Sequence, residues 1–125
     1  WYQLTREFHA IFDRAIEICP DYAQSYRSKS VSYLKTGDFL NWKKLIDKAV
    51  ELEPKQHLGY RGWCRFQFFR DYEGALTDFE VLDTLLPHDI GYSANGAYHL
   101  NIARALCLKR LVNKDLAINY IEKQI

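Results

Sequence analysis

At 125 residues the chain suits one domain, and an apolar fraction of 48% is enough for a continuous core. A net charge of +1 gives no bulk bias towards nucleic acid or a membrane surface. Six glycines and three prolines are too few for a disordered chain, and no apolar run approaches the ~20 residues that span a bilayer.

Residues 4–18 place Leu4, Phe8, Ile11, Phe12, Ala15 and Ile16 at gaps of three and four, the mark of one helical face. Pro20 stops this helix, because proline restricts its predecessor and lacks an amide donor. Residues 22–35 read as a second helix with Tyr26, Ser30, Tyr33 and Leu34 along one stripe. Gly37 permits a left-handed turn, and Asp38 caps a third helix over 38–52 with Phe39, Trp42, Leu45, Ile46, Ala49 and Leu52 inward. Pro54 closes that unit.

The plan then repeats. Residues 57–70 predict a helix carrying Tyr60, Trp63, Cys64 and the aromatics from Phe66 to Phe69. Asp71 takes the capping role for 72–86, and Pro87 closes the second unit. Gly91 and Gly96 mark a longer connector. Helices over 98–110 and 115–124, with a turn at Asn113 and Lys114, complete a third pair. Pro20, Pro54 and Pro87 are the only prolines and stand 34 and 33 residues apart. A fixed period in this range signals a helical repeat, whose units bury their apolar faces only by stacking.

These residues resemble the tetratricopeptide repeat, a helix–turn–helix unit of about 34 residues. The first unit matches at Tyr26, Ser30, Tyr33, Gly37 to Phe39, Ile46, Ala49 and Pro54. The second matches at Tyr60, Cys64, Asp71, Tyr72, Ala75, Phe79 and Pro87. Trp42 and Leu82 depart from it, standing where the family has alanine, and each demands local repacking. The resemblance implies an all-α, right-handed solenoid of antiparallel helix pairs. Its expected divisions are an orphan helix at 1–21, repeats at 22–54 and 55–87, and a divergent repeat at 88–125. The chain opens on Trp1 and its first helix lacks a partner, so a piece of a longer protein is expected.

Catalytic motifs are weak. In the run from Gly91 to Gly96, Ala97 and Tyr98 stand where a phosphate loop needs Lys and Ser or Thr. A nucleophile elbow at Ser93 fails on spacing and on the lack of a preceding strand. His9, His57, His88 and His99 have no metal-ligand spacing, and Cys19, Cys64 and Cys107 form no Cys-x-x-Cys pair. The cysteines read as small apolar residues on packed helices, in keeping with a reducing, cytoplasmic setting. No catalytic residue, metal or cofactor is expected.

One charge pattern does stand out. The first helices of the three pairs, taken as 23–35, 57–70 and 98–110, hold nine of the 17 basic residues and none of the 16 acids. In the family the first helices line a concave groove, so the resemblance implies a basic groove. Arg27, Val31, Arg61, Arg65, Phe68 and Phe69 are its expected lining, with Arg70 at the edge. Arginine forks suit carboxylates, and the aromatics add apolar area. Val31 and Gly62 stand where chaperone-clamp members carry asparagines, which disfavours that variant. The leading reading is a non-enzymatic protein-binding scaffold for an acidic peptide. The alternatives are a regulatory part of a larger enzyme or sensor, and a nucleic-acid-binding repeat. Self-association through apolar helix ends, with Phe8, Ile11 and Ile125 as the expected exposed residues, is a further expectation, and a membrane partner is not expected.

Overall fold

The structure, a computed structural model, describes the backbone of residues 2–124 and the side chains of residues 6–114. It comprises α1 (Tyr2–Ile18), α2 (Ala23–Thr36), α3 (Phe39–Leu52), α4 (Pro54–Gln67), α5 (Tyr72–Leu85) and α6 (Leu100–Gln124). Among the described residues there is no strand, only an isolated antiparallel bridge between Tyr92 and His99. Successive helices pack on one another, and α4 also meets α6. The result is the expected all-α solenoid of stacked helix pairs.

The turn chemistry follows the sequence. Gly37 adopts φ 75° and closes α2, and its N–H bonds back to Leu34 O at 3.2 Å. Asp38 caps α3 by accepting from Asn41 N, and Asp71 caps α5 by accepting from Gly74 N at 3.0 Å. Ala49, Ala75, Trp42, Trp63 and Phe79 are all buried. Tyr26 is only half-buried, and its hydroxyl donates to Pro20 O at 2.7 Å.

Four expectations are corrected. The turn expected at Asn113 and Lys114 does not form, and α6 runs unbroken through both. Neither residue is a glycine or proline that would stop a helix. Cys19 is exposed rather than packed, because it falls just past the end of α1. Phe8 is half-buried against Phe12 rather than free, whereas Ile11 and Ile18 are exposed. Ile125 and the side chains of the segment 115–124 lie outside the described residues.

The fourth correction concerns the junction of α3 and α4. Pro54 does not separate the units but is the first residue of α4. Its missing N–H costs nothing there, since the first-turn donors have no intrahelical acceptor. Glu53 alone joins α3 to α4. Its N–H bonds to Ala49 O at 2.9 Å, and its carbonyl accepts from His57 N at 3.2 Å. Consequently α3 and α5 start 33 residues apart, but α2 and α4 start 31 apart. The longer 68–71 turn absorbs the difference, and Asp38 and Asp71 cap α3 and α5 at corresponding points.

The two departures from the family pattern are accommodated by specific neighbours. Trp42 is fully buried against Phe39 and Phe69, the latter reaching back from the 68–71 turn with ring centroids 4.9 Å apart. Leu82 fits because α4 presents Gly59 to it. A Cβ on Gly59 would stand 3.2 Å from Leu82 Cδ2 and 3.1 Å from Leu100 Cδ1. Gly62 is tighter still, with Phe79 Cε1 at 2.7 Å from the position of an added Cβ. The α4–α5 contact therefore depends on two absent side chains. Gly62→Ala gains helix propensity of ~1 kcal/mol but overpacks a fully buried ring. The expected outcome is a net loss of about 1–2 kcal/mol in chemical denaturation, and an unchanged midpoint would show that the contact is looser than described.

Candidate functional site

Of the residues expected to line one groove, the structure divides the arginines between two places. Arg61 and Arg65 lie on the side of α4 that faces α3 and α5. Both converge on Asp78 of α5, which is 2% exposed. Arg61 forks onto it, Nε to Oδ2 at 3.0 Å and Nη2 to Oδ1 at 2.8 Å, while Arg65 Nη1 donates to Oδ2 at 3.0 Å. Arg61 Nη1 also donates to Asp47 of α3 at 2.9 Å. Arg65 Nε lies 3.7 Å from Asp71 Oδ2 and makes no hydrogen bond. The expectation of two open cations is thus revised, because carboxylates absent from the first helices arrive from their neighbours. Burial alone would lower the pKa of Arg61, but the hydrogen bond and charge of Asp78 outweigh it, and the guanidinium is held above its ordinary value.

The aromatics also part. Phe69 packs into the core with Trp42 and Phe39. Phe68 is exposed and meets Trp63 edge-on with centroids 5.4 Å apart. Val31 is half-buried on α2, one turn beyond Arg27.

Arg27 occupies a different setting. Its guanidinium carbon stands 4.1 Å over the Tyr60 ring, and Nη1 approaches both Gln56 O and His57 Nδ1 at 3.5 Å. No carboxylate pairs with it among the described residues. Desolvation lowers its pKa, with Tyr60 and Cys64 opposing. Arg27 borders a cleft of about 190 Å³ together with Lys55, Gln56, Gly59, Tyr60, Leu82 and the segment from Ile90 to Leu100. The cleft lining carries two cations and no acid. Lys55 sits in the first turn of α4, where the helix dipole adds to the positive field.

The far wall is an ordered connector. Gly91 and Gly96 adopt φ 92° and 74°. Ser93 is buried, its N–H donates to Tyr98 O at 2.8 Å, and its hydroxyl oxygen accepts from Ala97 N at 3.1 Å. Asp89 accepts from Gly91 N at 2.9 Å and pairs with His99 Nε2 at 2.6 Å, which holds its carboxyl below the usual range. Tyr98 ties the connector to α4, accepting from Trp63 Nε1 at 2.9 Å and donating to Gln67 at 3.1 Å. Ser93 thus serves the connector as the sequence reading expects.

Sequence reasoning missed Asp78, although a signal existed. It falls on the Ala75–Phe79–Leu82 stripe of α5, and a carboxylate on a buried face demands a cation opposite. Lys55 and Tyr92 carried no periodic signal at all. Among the described residues no group of three or more His, Cys, Asp or Glu is placed to hold a metal ion. Among the described residues no helix is long and apolar enough to cross a membrane.

Stacked helix pairs with glycine- and Asp-capped turns define a helical-repeat scaffold. A family model of the tetratricopeptide repeat matches residues 23–56, which span α2, α3 and the start of α4. Residues 23–56 thus carry a tetratricopeptide repeat. No curated protein and no solved structure gives a match to the chain.

Two measurements check this site. Asp78→Ala leaves two mostly buried guanidiniums without their shared carboxylate, and a loss of about 3–5 kcal/mol in unfolding free energy is expected. A loss under about 1 kcal/mol, typical of exposed pairs, would show that the network is solvent-screened. His57 gives a pH signature. It is 1% exposed, Arg27 donates to Nδ1, and Nε2 has no partner. Burial first, then the charge of Arg27, holds its pKa below the usual 6.5, with Glu53 opposing. The unfolded chain therefore binds the proton more readily, and stability falls as pH drops through about 6.5. Replacing His57 with Gln should flatten the stability slope between about pH 5 and 7, read against the parent chain by urea titration.

Proposed function

We propose that this chain is a protein-interaction module, which a tetratricopeptide repeat supports in general, and that its Arg27–Lys55 cleft takes one carboxylate of an acidic segment of a partner protein. The observation that carries the reading is Arg27 itself, a half-buried cation held over Tyr60 with no carboxylate of its own among the described residues. A partner carboxylate would relieve the cost of that burial and gain a charge-assisted hydrogen bond. Lys55 and the first turn of α4 reinforce the field, while Tyr60, Tyr92 and Leu82 supply apolar contact. Val31, half-buried one turn beyond Arg27, is not part of that lining. Arg61, Arg65 and Phe69 drop out of the proposed contact surface, since each is engaged within the fold.

The test is calorimetric titration with a pool of Asp- and Glu-rich peptides, alongside a matched Asn- and Gln-rich pool. Arg27→Gln is expected to cost about tenfold in affinity, equivalent to about 1.4 kcal/mol, and Lys55→Glu a comparable amount. Binding should weaken with salt, because partly exposed charges are screened over about 8–10 Å. Equal binding of both pools, or no effect from either substitution in a folded chain, overturns the assignment.

A further inference from the structure

Arg70 is the one described non-glycine residue with positive φ, at 53°. It stands 33 residues after Gly37, which adopts φ 75° at the corresponding point of the preceding turn. Glycine takes this conformation without strain, whereas an L side chain does not. Nothing inside the fold recompenses the arginine. Among the described residues its exposed side chain makes no ion pair and no side-chain hydrogen bond. What it does is line a cleft of about 290 Å³, shared with Phe66, Gln67, Tyr72 and Arg110.

The other lining groups fit the same purpose. Arg110, from α6, holds its guanidinium 5.2 Å over the Tyr72 ring and likewise has no carboxylate partner among the described residues. Phe66 and Tyr72 meet edge-on with centroids 6.0 Å apart and form an apolar wall. This cleft therefore carries two guanidiniums and no acid. A second cleft of about 600 Å³ shares Arg70, Tyr72 and Arg110 with it and is also lined by Lys114, Asp71 and Glu73.

We infer that the Arg70–Arg110 cleft is a second binding site, specific for a phosphate monoester carried on a side chain of a partner protein. Two guanidinium forks match the charge and the several acceptor oxygens of one dianion. The aromatic wall receives the carbon stem of the phosphorylated residue. Asp71 and Glu73 of the larger cleft oppose a continuous polyanion, which argues against a nucleic acid strand. The site lies on the 68–71 turn and α6, apart from the Arg27 cleft, so either assignment can fail without the other.

The experiment follows amide and arginine Nε–Hε resonances of the folded chain during titration. The probes are acetylated, amidated Gly-phosphotyrosine-Gly and Gly-phosphoserine-Gly, their unphosphorylated forms, and inorganic phosphate. Saturable shifts centred on Arg70, Tyr72 and Arg110 are expected with at least one phosphorylated tripeptide, and none with the unphosphorylated forms. Arg70→Gly should weaken that binding at least tenfold while leaving the melting temperature unchanged or higher, because the turn is relieved of its strain. Arg27→Gln should leave it unaltered. Inorganic phosphate binding as tightly as both phosphotripeptides overturns the side-chain-borne ligand. Shifts spread without saturation over all basic residues, or full affinity in Arg70→Gly, overturn the site. A lowered melting temperature in Arg70→Gly would assign Arg70 to the fold instead.

Discussion

Asp78 lies where three helices meet. It carries a negative charge out of water, which is costly unless the lone pairs are filled and the charge is matched. Arg61 and Arg65 do both, and Arg61 passes the link on to Asp47. Through one carboxylate, α4 is therefore fixed in rotation against α5, and through one guanidinium against α3. Apolar packing alone tolerates small rotations of a helix about its axis. A forked ion pair does not, because its hydrogen bonds weaken steeply with angle. The faces that α4 offers elsewhere, Tyr60 towards Arg27 and Trp63 towards Tyr98, follow from that rotation.

The same rotation brings Gly59 and Gly62 onto Leu82 and Phe79. In this chain the small residues of the second unit have moved from the second helix to the first, while bulk has moved the other way. Volume across the interface is thereby kept, which is what close packing requires. Trp42 is settled differently, by an aromatic from a neighbouring turn, and its Nε1 remains without a hydrogen-bond partner. Each departure from the repeat pattern thus has its own local answer.

The order of helices, the capping residues and most of the core were legible because they depend on local periodicity and turn chemistry. Gly37, Asp38 and Asp71 behave as their side chains and backbone freedom dictate. The start of α4 was not legible. Pro54 serves equally well as a stop or as a first residue, and only tertiary packing decides between them. Arg61 and Arg65 turn inward because Asp47 of α3 and Asp78 of α5 face them. The absence of acids from the first helices was correctly read, yet charge counted along one helix says nothing about carboxylates that a neighbouring helix supplies. Arg27 stays at the cleft because, among the described residues, no carboxylate faces it there.

The three thiols have a chemical consequence. Burial pushes the pKa of Cys64 up to about 12 and that of Cys107 up to about 11, so neither forms thiolate readily while the chain is folded. Cys19 alone is exposed, at the bend between α1 and α2. An alkylating reagent at neutral pH meets one sulfur in the native protein and three in the denatured chain. The tally of modified thiols is then a direct gauge of the folded fraction. Cys19 also offers an address for a single fluorophore, next to α1, whose packing partner is α2, whereas α6 packs on α4 and α5.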